Sequence, residues 1–177
     1  MISSLNNTGA FLINTIFDLY LMVLAARLIL AFSKANYFNP ITRFVITLTQ
    51  PIINPIRRVI PNYYGIEFST LLVILVLQLI KFSLIGAMFI TMPAFDSLLI
   101  ISITSSIKLI LTLLFYSIMI SAIMSLLTPN QTPFTQVLYE LSSPFLRPFQ
   151  RMIPPVGGFD ISPIPALLIL QIFIRVL

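Results

Sequence analysis

Apolar stretches alternate with two polar, proline-rich ones along this chain, and that alternation predicts its elements. The apolar stretches cover about 10–33, about 68–91, about 97–127 and about 160–177, each read as a helix near or above the roughly 18–20 residues needed to cross a bilayer's hydrocarbon core. The intervening segments, 41–61 and 133–154, read differently. In the first, Arg43, Thr47, Gln50, Asn54 and Arg57 recur at helical spacing, so they stack on one face, with Phe44, Val45, Leu48 and Ile52 elsewhere around the helix. The same positions of the second hold Gln136, Glu140, Ser143, Arg147 and Gln150. A polar stripe on an otherwise apolar helix is the pattern of a segment lying in the membrane interface.

Prolines punctuate both segments. Pro51 and Pro144 suit the first position of a new helix, with Ser143 as an N-cap, which predicts two short helical pieces and a bend, and Pro55 and Pro148 mark a kink one turn further on. Pro61, Gly65, Glu67 and Ser69, and again Pro154, Gly158, Asp160 and Ser162, read as a turn followed by a capped helix start. The chain is thereby returned to the bilayer.

The two polar segments are the same phrase. Residues 40–82 laid over 133–175 without a gap match Pro40 with Pro133, Pro51 with Pro144, Pro55 with Pro148, Arg58 with Arg151, Pro61 with Pro154, Gly65 with Gly158, and Gln78 with Gln171. Apolar composition does not align four prolines or more by itself. The expectation is an all-α membrane protein of four transmembrane helices in two repeats, 1–92 and 93–177, each with a proline-rich amphipathic interfacial segment. An even number of spans separates equivalent points, so the repeats share one orientation, related by an axis along the membrane normal.

Charge sets the direction. Lys34, Arg43, Arg57 and Arg58 fall in the first connection and Arg147 and Arg151 in the second, whereas the short turn near Asp96 holds no basic residue. The positive-inside rule then puts both connections in the cytoplasm and both termini outside. Tyr37, Tyr63, Tyr64 and Tyr139 lie in or beside these connections, where interfacial tyrosines belong. No Lys or Arg precedes the first apolar run, which contains Asp18 and Arg27, so it reads as a retained helix rather than a cleaved signal.

Composition narrows the chemistry. Of 177 residues 58% are hydrophobic and 8% charged, and there is neither cysteine nor histidine, which removes disulfides, thiolate sites and the commonest metal ligand and proton shuttle. The five acids, Asp18, Glu67, Asp96, Glu140 and Asp160, show no spacing that suggests a carboxylate pair or metal motif. No enzyme, metal or cofactor is expected. The basic pI reflects topology and does not imply nucleic acid.

The residues Arg27 in LAARLILAF, Asn39 and Pro40, the block Pro51–Pro61 with Arg57 and Arg58, then Gly65, Glu67, Ser69 and Gln78, resemble the YggT family of small bacterial and plastid membrane proteins. Pro144, Pro148, Arg151, Pro154, Gly158, Asp160, Ser162 and Gln171 carry the second copy. The resemblance implies a multi-pass protein of the bacterial inner membrane; members have been linked to osmotic tolerance and ion uptake, to cell or plastid division, and to maturation of a plastid cytochrome. The second copy departs from the first, with Ile120, Arg147 and Gln150 at the positions of Arg27, Asn54 and Arg57.

Inside the apolar stretches the notable residues are Asp18, Arg27, Gln78, Lys81, Lys108 and Gln171, since intramembrane polar groups usually pair or line a cavity. Helical rise puts Asp18 about 12 Å and the two lysines about 16 Å deep, close enough to meet. If Gln78 and Gln171 meet near the pseudo-axis, an interhelical hydrogen bond joins the repeats there. The leading functional expectation is a membrane organiser or assembly factor whose Arg43, Arg57, Arg58, Arg147 and Arg151 engage anionic lipid and a protein partner at the cytoplasmic face, with self-association left open. The alternative is an ion-homeostasis or osmotic-tolerance transport component using Asp18, Lys81 and Lys108.

Overall fold

The computed structural model describes residues 2–61, 66–89, 93–127, 132–153 and 160–177. Its regular elements are six helices: α1 (Ile2–Phe32), α2 (Pro40–Arg57), α3 (Phe68–Met88), α4 (Phe95–Leu127), α5 (Pro133–Met152) and α6 (Pro163–Val176). The expected turns at Tyr63, Tyr64 and Gly65 and at Pro154 and Gly158 lie outside the described residues.

Among the described residues three helices are long and apolar enough to cross a membrane: Asn6–Phe32, Phe68–Met88 and Phe95–Ser125. The fourth expected span is the apolar α6, whose 14 residues rise about 21 Å against a hydrocarbon core of about 30 Å. α1 packs on α3 and α4 on α6, while α3 and α4 join the two pairs. Apolar clusters make up much of the interior, with buried polar groups between them. Leu21, Leu24 and Leu28 of α1 meet Ile53 of α2 and Val73 and Ile74 of α3, and Ile118, Leu146, Ala166 and Leu170 form a second cluster.

α1 stops where its backbone turns left-handed at Lys34 (φ 55°), and the Ala35 N–H donates to the Leu30 carbonyl at 2.9 Å while that of Lys34 donates to Ala31 at 3.2 Å. This is a Schellman stop made without glycine, and the apolar contact that accompanies such stops is present, with Leu30 and Ala35 in one buried cluster. Five residues after Lys34, Asn39 caps α2, its side-chain oxygen accepting from Ile41 N–H at 2.9 Å, and Pro40 opens the helix. The Asn39 amide also donates to the Pro133 carbonyl (2.8 Å) and to Gln136 Oε1 (3.2 Å) at the start of α5. α5 further packs Val137 and Leu141 under Ile29, Leu30 and Ala35. Both amphipathic helices therefore sit at the end of the bundle where α1 terminates.

The predicted break at Pro51 and Pro144 is corrected: α2 and α5 each run through both of their prolines. A proline inside a helix leaves the carbonyl four residues back without its usual donor. In α5 that carbonyl is Glu140's, and Ser143 Oγ donates to it at 3.3 Å. Ser143 thus repairs a continuous helix instead of capping a new one. In α2, Pro51 and Pro55 lie on exposed positions, where water or headgroups can take the freed carbonyls. The serine caps are corrected as well. Neither Ser69, which lies inside α3, nor Ser162 makes a side-chain cap; Asp160 Oδ1 accepts the Ser162 N–H at 2.9 Å in its place.

α2 has three faces. Thr42, Val45, Thr49 and Ile53 are buried in the bundle, Arg43, Thr47, Gln50, Asn54 and Arg57 are exposed as the predicted polar stripe, and Phe44, Leu48 and Ile52 form an exposed apolar strip. α5 keeps Arg147 exposed but turns Gln136, Glu140, Ser143 and Gln150 inward to varying degrees, because α1 covers its start.

Candidate functional site: an ion-paired junction under a basic surface

Arg27, one and a half turns before the end of α1, is 5% exposed and needs a counter-charge. Its Nε donates to Glu67 Oε2 at 2.9 Å, and its Nη1 donates to Thr49 Oγ1 at 2.9 Å and to the Ile46 carbonyl at 3.4 Å. Thr70 Oγ1 donates to the same Glu67 oxygen at 2.8 Å. One guanidinium therefore fastens α1 to the middle of α2 and the start of α3. Thr49 can accept this bond because its own hydroxyl donates to the Val45 carbonyl at 2.7 Å.

Arg57 approaches the other Glu67 oxygen at 4.0 Å from the exposed surface. Burial acts to raise the Glu67 carboxyl, but hydrogen bonds from Arg27 and Thr70 and the charges of Arg27 and Arg57 outweigh it and hold it below the ordinary glutamate range. Beside the junction is a cavity of about 80 Å³ lined by polar groups including Tyr37, Thr42, Gln50 and Arg57. The set is two arginines, one carboxylate and neutral hydroxyl and amide groups. It can hold helices in register and present positive charge, and it contains no nucleophile with an adjacent base.

Ninety-three positions on, the arrangement is thinner. Gln150 Nε2 donates to Asp160 Oδ2 at 2.8 Å, occupying the places of Arg57 and Glu67. Ile120 stands where Arg27 would be, and Asp160 is correspondingly left exposed. Burial acts to raise its carboxyl, and hydrogen bonds from Ser162 and Gln150 together outweigh it and bring it below the ordinary aspartate value.

The outer surface of α2 and α5 carries Arg43, Arg57, Arg58, Arg147 and Arg151, all exposed. Exposed Tyr37, Phe38 and Tyr139 lie in the same region.

The CCB3/YggT family model matches residues 6–88 and 100–177, which together are most of the chain. The chain belongs to the YggT family. It is 36% identical over 166 residues to the YggT protein of Escherichia coli K12, covering 94% of this chain and 87% of that one. It is 36% identical over 158 residues to a Vibrio alginolyticus protein (88% and 85% covered) and 30% identical over 166 residues to one from Haemophilus influenzae (94% and 88% covered). No solved structure matches it.

In this YggT-family chain the expected intramembrane network divides. Lys81 Nζ donates to Asp18 Oδ1 at 2.8 Å and lies 4.7 Å from the centre of the Phe82 ring. Arg27 is nine residues further along α1 than Asp18, about 13.5 Å by helical rise, and belongs to the Glu67 junction instead. Gln78 and Gln171 do not meet: Gln78 is buried at 2% exposure, Gln171 is exposed, and α3 and α6 do not pack together. The parallel drawn from equal sequence spacing fails because α3 packs against α1, α2 and α4, whereas among the described helices α6 packs against α4 and α5. Lys108 is exposed on α4 and joins neither cluster.

Sequence reasoning did not identify Thr49 and Thr70 as partners of the junction, and it read Glu67 only as a helix-start acid. A usable signal was present. A buried arginine near the polar end of a span requires an acid, and Glu67 is the acid nearest that end in the same half of the chain.

Proposed function

We propose that this YggT-family protein is a non-enzymatic organiser of the bacterial inner membrane, which crosses the bilayer four times as two like-oriented repeats and presents α2 and α5 to the cytoplasm. The observation that carries this reading is the exposure of Arg43, Arg57, Arg58, Arg147 and Arg151 on two amphipathic helices that touch at one end of the bundle. Each basic residue near an anionic leaflet contributes about 1 kcal/mol, so the surface as a whole contributes several. The apolar strip of Phe44, Leu48 and Ile52 beside it fits insertion among acyl chains.

Several features support the repeats. Pro40 and Pro133 both open helices, Pro51 with Pro55 and Pro144 with Pro148 both lie inside them, and the Arg57–Glu67 and Gln150–Asp160 pairs recur at the same offset. The family model also aligns in two segments. In this reading α6 is the fourth span, its short length met by local thinning of the bilayer. Anionic phospholipid is the first partner and a protein at the cytoplasmic face the second. The buried Arg27 junction keeps α2 pressed to the bundle so that its arginines face outward together.

The test is lipid selection. In nanodiscs of mixed zwitterionic and anionic phospholipid, native mass spectrometry of the ejected protein should show retained anionic lipid, weakening as salt shortens the screening length to about 8–10 Å and below. The triple variant Arg57→Glu, Arg58→Glu, Arg151→Glu should lose that enrichment by about tenfold or more with insertion and helix content unchanged. Enrichment equal to wild type in this variant would sink the reading.

A further inference from the structure

Of the three long spans, α4 hides the smallest share of its apolar window inside the bundle, 11% against 39% for α1 and 28% for α3. A lipid-facing helix should then be apolar on its outer side. α4 is not. Ser97, Ser105, Lys108, Thr112 and Tyr116 recur at intervals of three, four or eight residues and share one face, along which Ser97, Lys108 and Tyr116 are exposed and Ser105 and Thr112 half-exposed. Among the described residues Lys108 has no carboxylate within ion-pair reach, although it lies thirteen residues into the helix, about 20 Å from its start. A charged group at such depth ordinarily faces protein or a water-filled path.

The partner can be deduced from the acids. Glu67 and Asp160 precede α3 and α6, Glu140 lies in α5, and Asp96 is in the first turn of α4, so Asp18 is the acid that lies well inside a described span. It is also at the right depth. Leu109 and Ile110, next to Lys108, pack on the cluster that contains Leu21 and Leu24 together with Phe17 and Tyr20, which flank Asp18 on α1. Asp18 is open on one side: Oδ1 binds Lys81, yet the side chain remains 50% exposed. Within one chain the two do not pair.

We propose that the polar face of α4 is the docking surface for a second copy of this chain, whose Asp18 receives Lys108 across the interface. Two charges of opposite sign, at comparable depth and both exposed, are complementary between copies. α1 and α4 are neighbours in each chain, so a two-fold arrangement forms the Asp18–Lys108 pair twice. Thr112, Ser105 and Tyr116 supply hydroxyls for interhelical hydrogen bonds along the seam. The inference stands apart from the lipid-binding reading, because it uses none of the surface arginines.

The experiment exploits the absence of native cysteine. Chains carrying Thr15→Cys and differently tagged chains carrying Ser105→Cys, each three residues before its charged partner, are co-expressed and oxidised in intact membranes. A mixed disulfide dimer is expected, and Lys108→Leu in both chains should reduce it about tenfold or more, with Lys108→Arg restoring it. Mass photometry of wild type in nanodiscs should show dimers and the Lys108→Leu protein monomers. Replacing Lys108 by leucine favours insertion, and anionic-lipid enrichment of that variant should remain at the wild-type level, which separates failure of this proposal from failure of the lipid reading. A wild-type monomer under these conditions, with lipid alone covering α4, overturns the proposal; so does crosslinking insensitive to Lys108→Leu.

Discussion

Arg27→Met should destabilise the folded protein by about 3–5 kcal/mol, because it strands the Glu67 carboxylate in a buried site with one neutral hydroxyl and a distant, surface arginine. The size of the effect belongs to the uncompensated charge, not to the strength of the pair. The double variant Arg27→Met, Glu67→Leu removes both charges and should therefore recover most of the loss. Equilibrium unfolding in bicelles by steric trapping reads both. Glu67→Gln removes a pH dependence. The folded-state Glu67 carboxyl lies below its ordinary value, so its contribution is complete above about pH 4.3 and is lost as pH falls through the depressed value. Wild type should lose stability on acidification through that window, whereas Glu67→Gln, weaker above it and converging with wild type below it, should lack this part of the slope. A single variant as stable as wild type would show that Arg27 is not held by Glu67.

Asp18→Leu is expected to cost about 2–3 kcal/mol, less than loss of Arg27, since Lys81 retains the Phe82 ring as a cation–π partner. Lys81 itself is buried at 5% exposure, so without the carboxylate its ammonium has little else. Lys81→Leu should be milder, because it also removes the roughly 2.5–3.5 kcal/mol insertion cost of a lysine at a helix centre. The double variant should approach wild type. Measured on a Lys108→Leu background, this cycle isolates the contact within one chain from any contact between copies. Coupling near zero would mean that the 2.8 Å contact adds nothing to stability.

Much of the fold was legible because the two periods in the sequence differ so clearly. Unbroken apolar runs marked α1, α3 and α4, and the spacing of Arg43, Thr47, Gln50, Asn54 and Arg57 marked the outer face of α2. The helix breaks were misjudged because proline propensity is local, while the repair at Glu140 depends on where the Ser143 hydroxyl points. Similarly, Gln78 and Gln171 occupy matching sequence positions but not matching surroundings, since only the first lies where three helices enclose it. Lys34 carried no sign of a left-handed stop, a role usually given to glycine.

Of the candidate site, the exposed arginines could be placed from spacing alone. The junction beneath them could not, because Arg27, Thr49, Glu67 and Thr70 come from three helices and only packing brings them together. Depth brought Asp18 within reach of both lysines without telling which would pair; the structure pairs it with Lys81 and leaves Lys108 exposed.

The account rests on α2 and α5 lying together on the cytoplasmic side. Asn54 and Arg147 are exposed and occupy equivalent places on the two helices. Single-cysteine variants at each, treated with an impermeant maleimide, should be protected in intact cells and labelled once the inner membrane is permeabilised. Labelling of either position from outside intact cells would contradict the account.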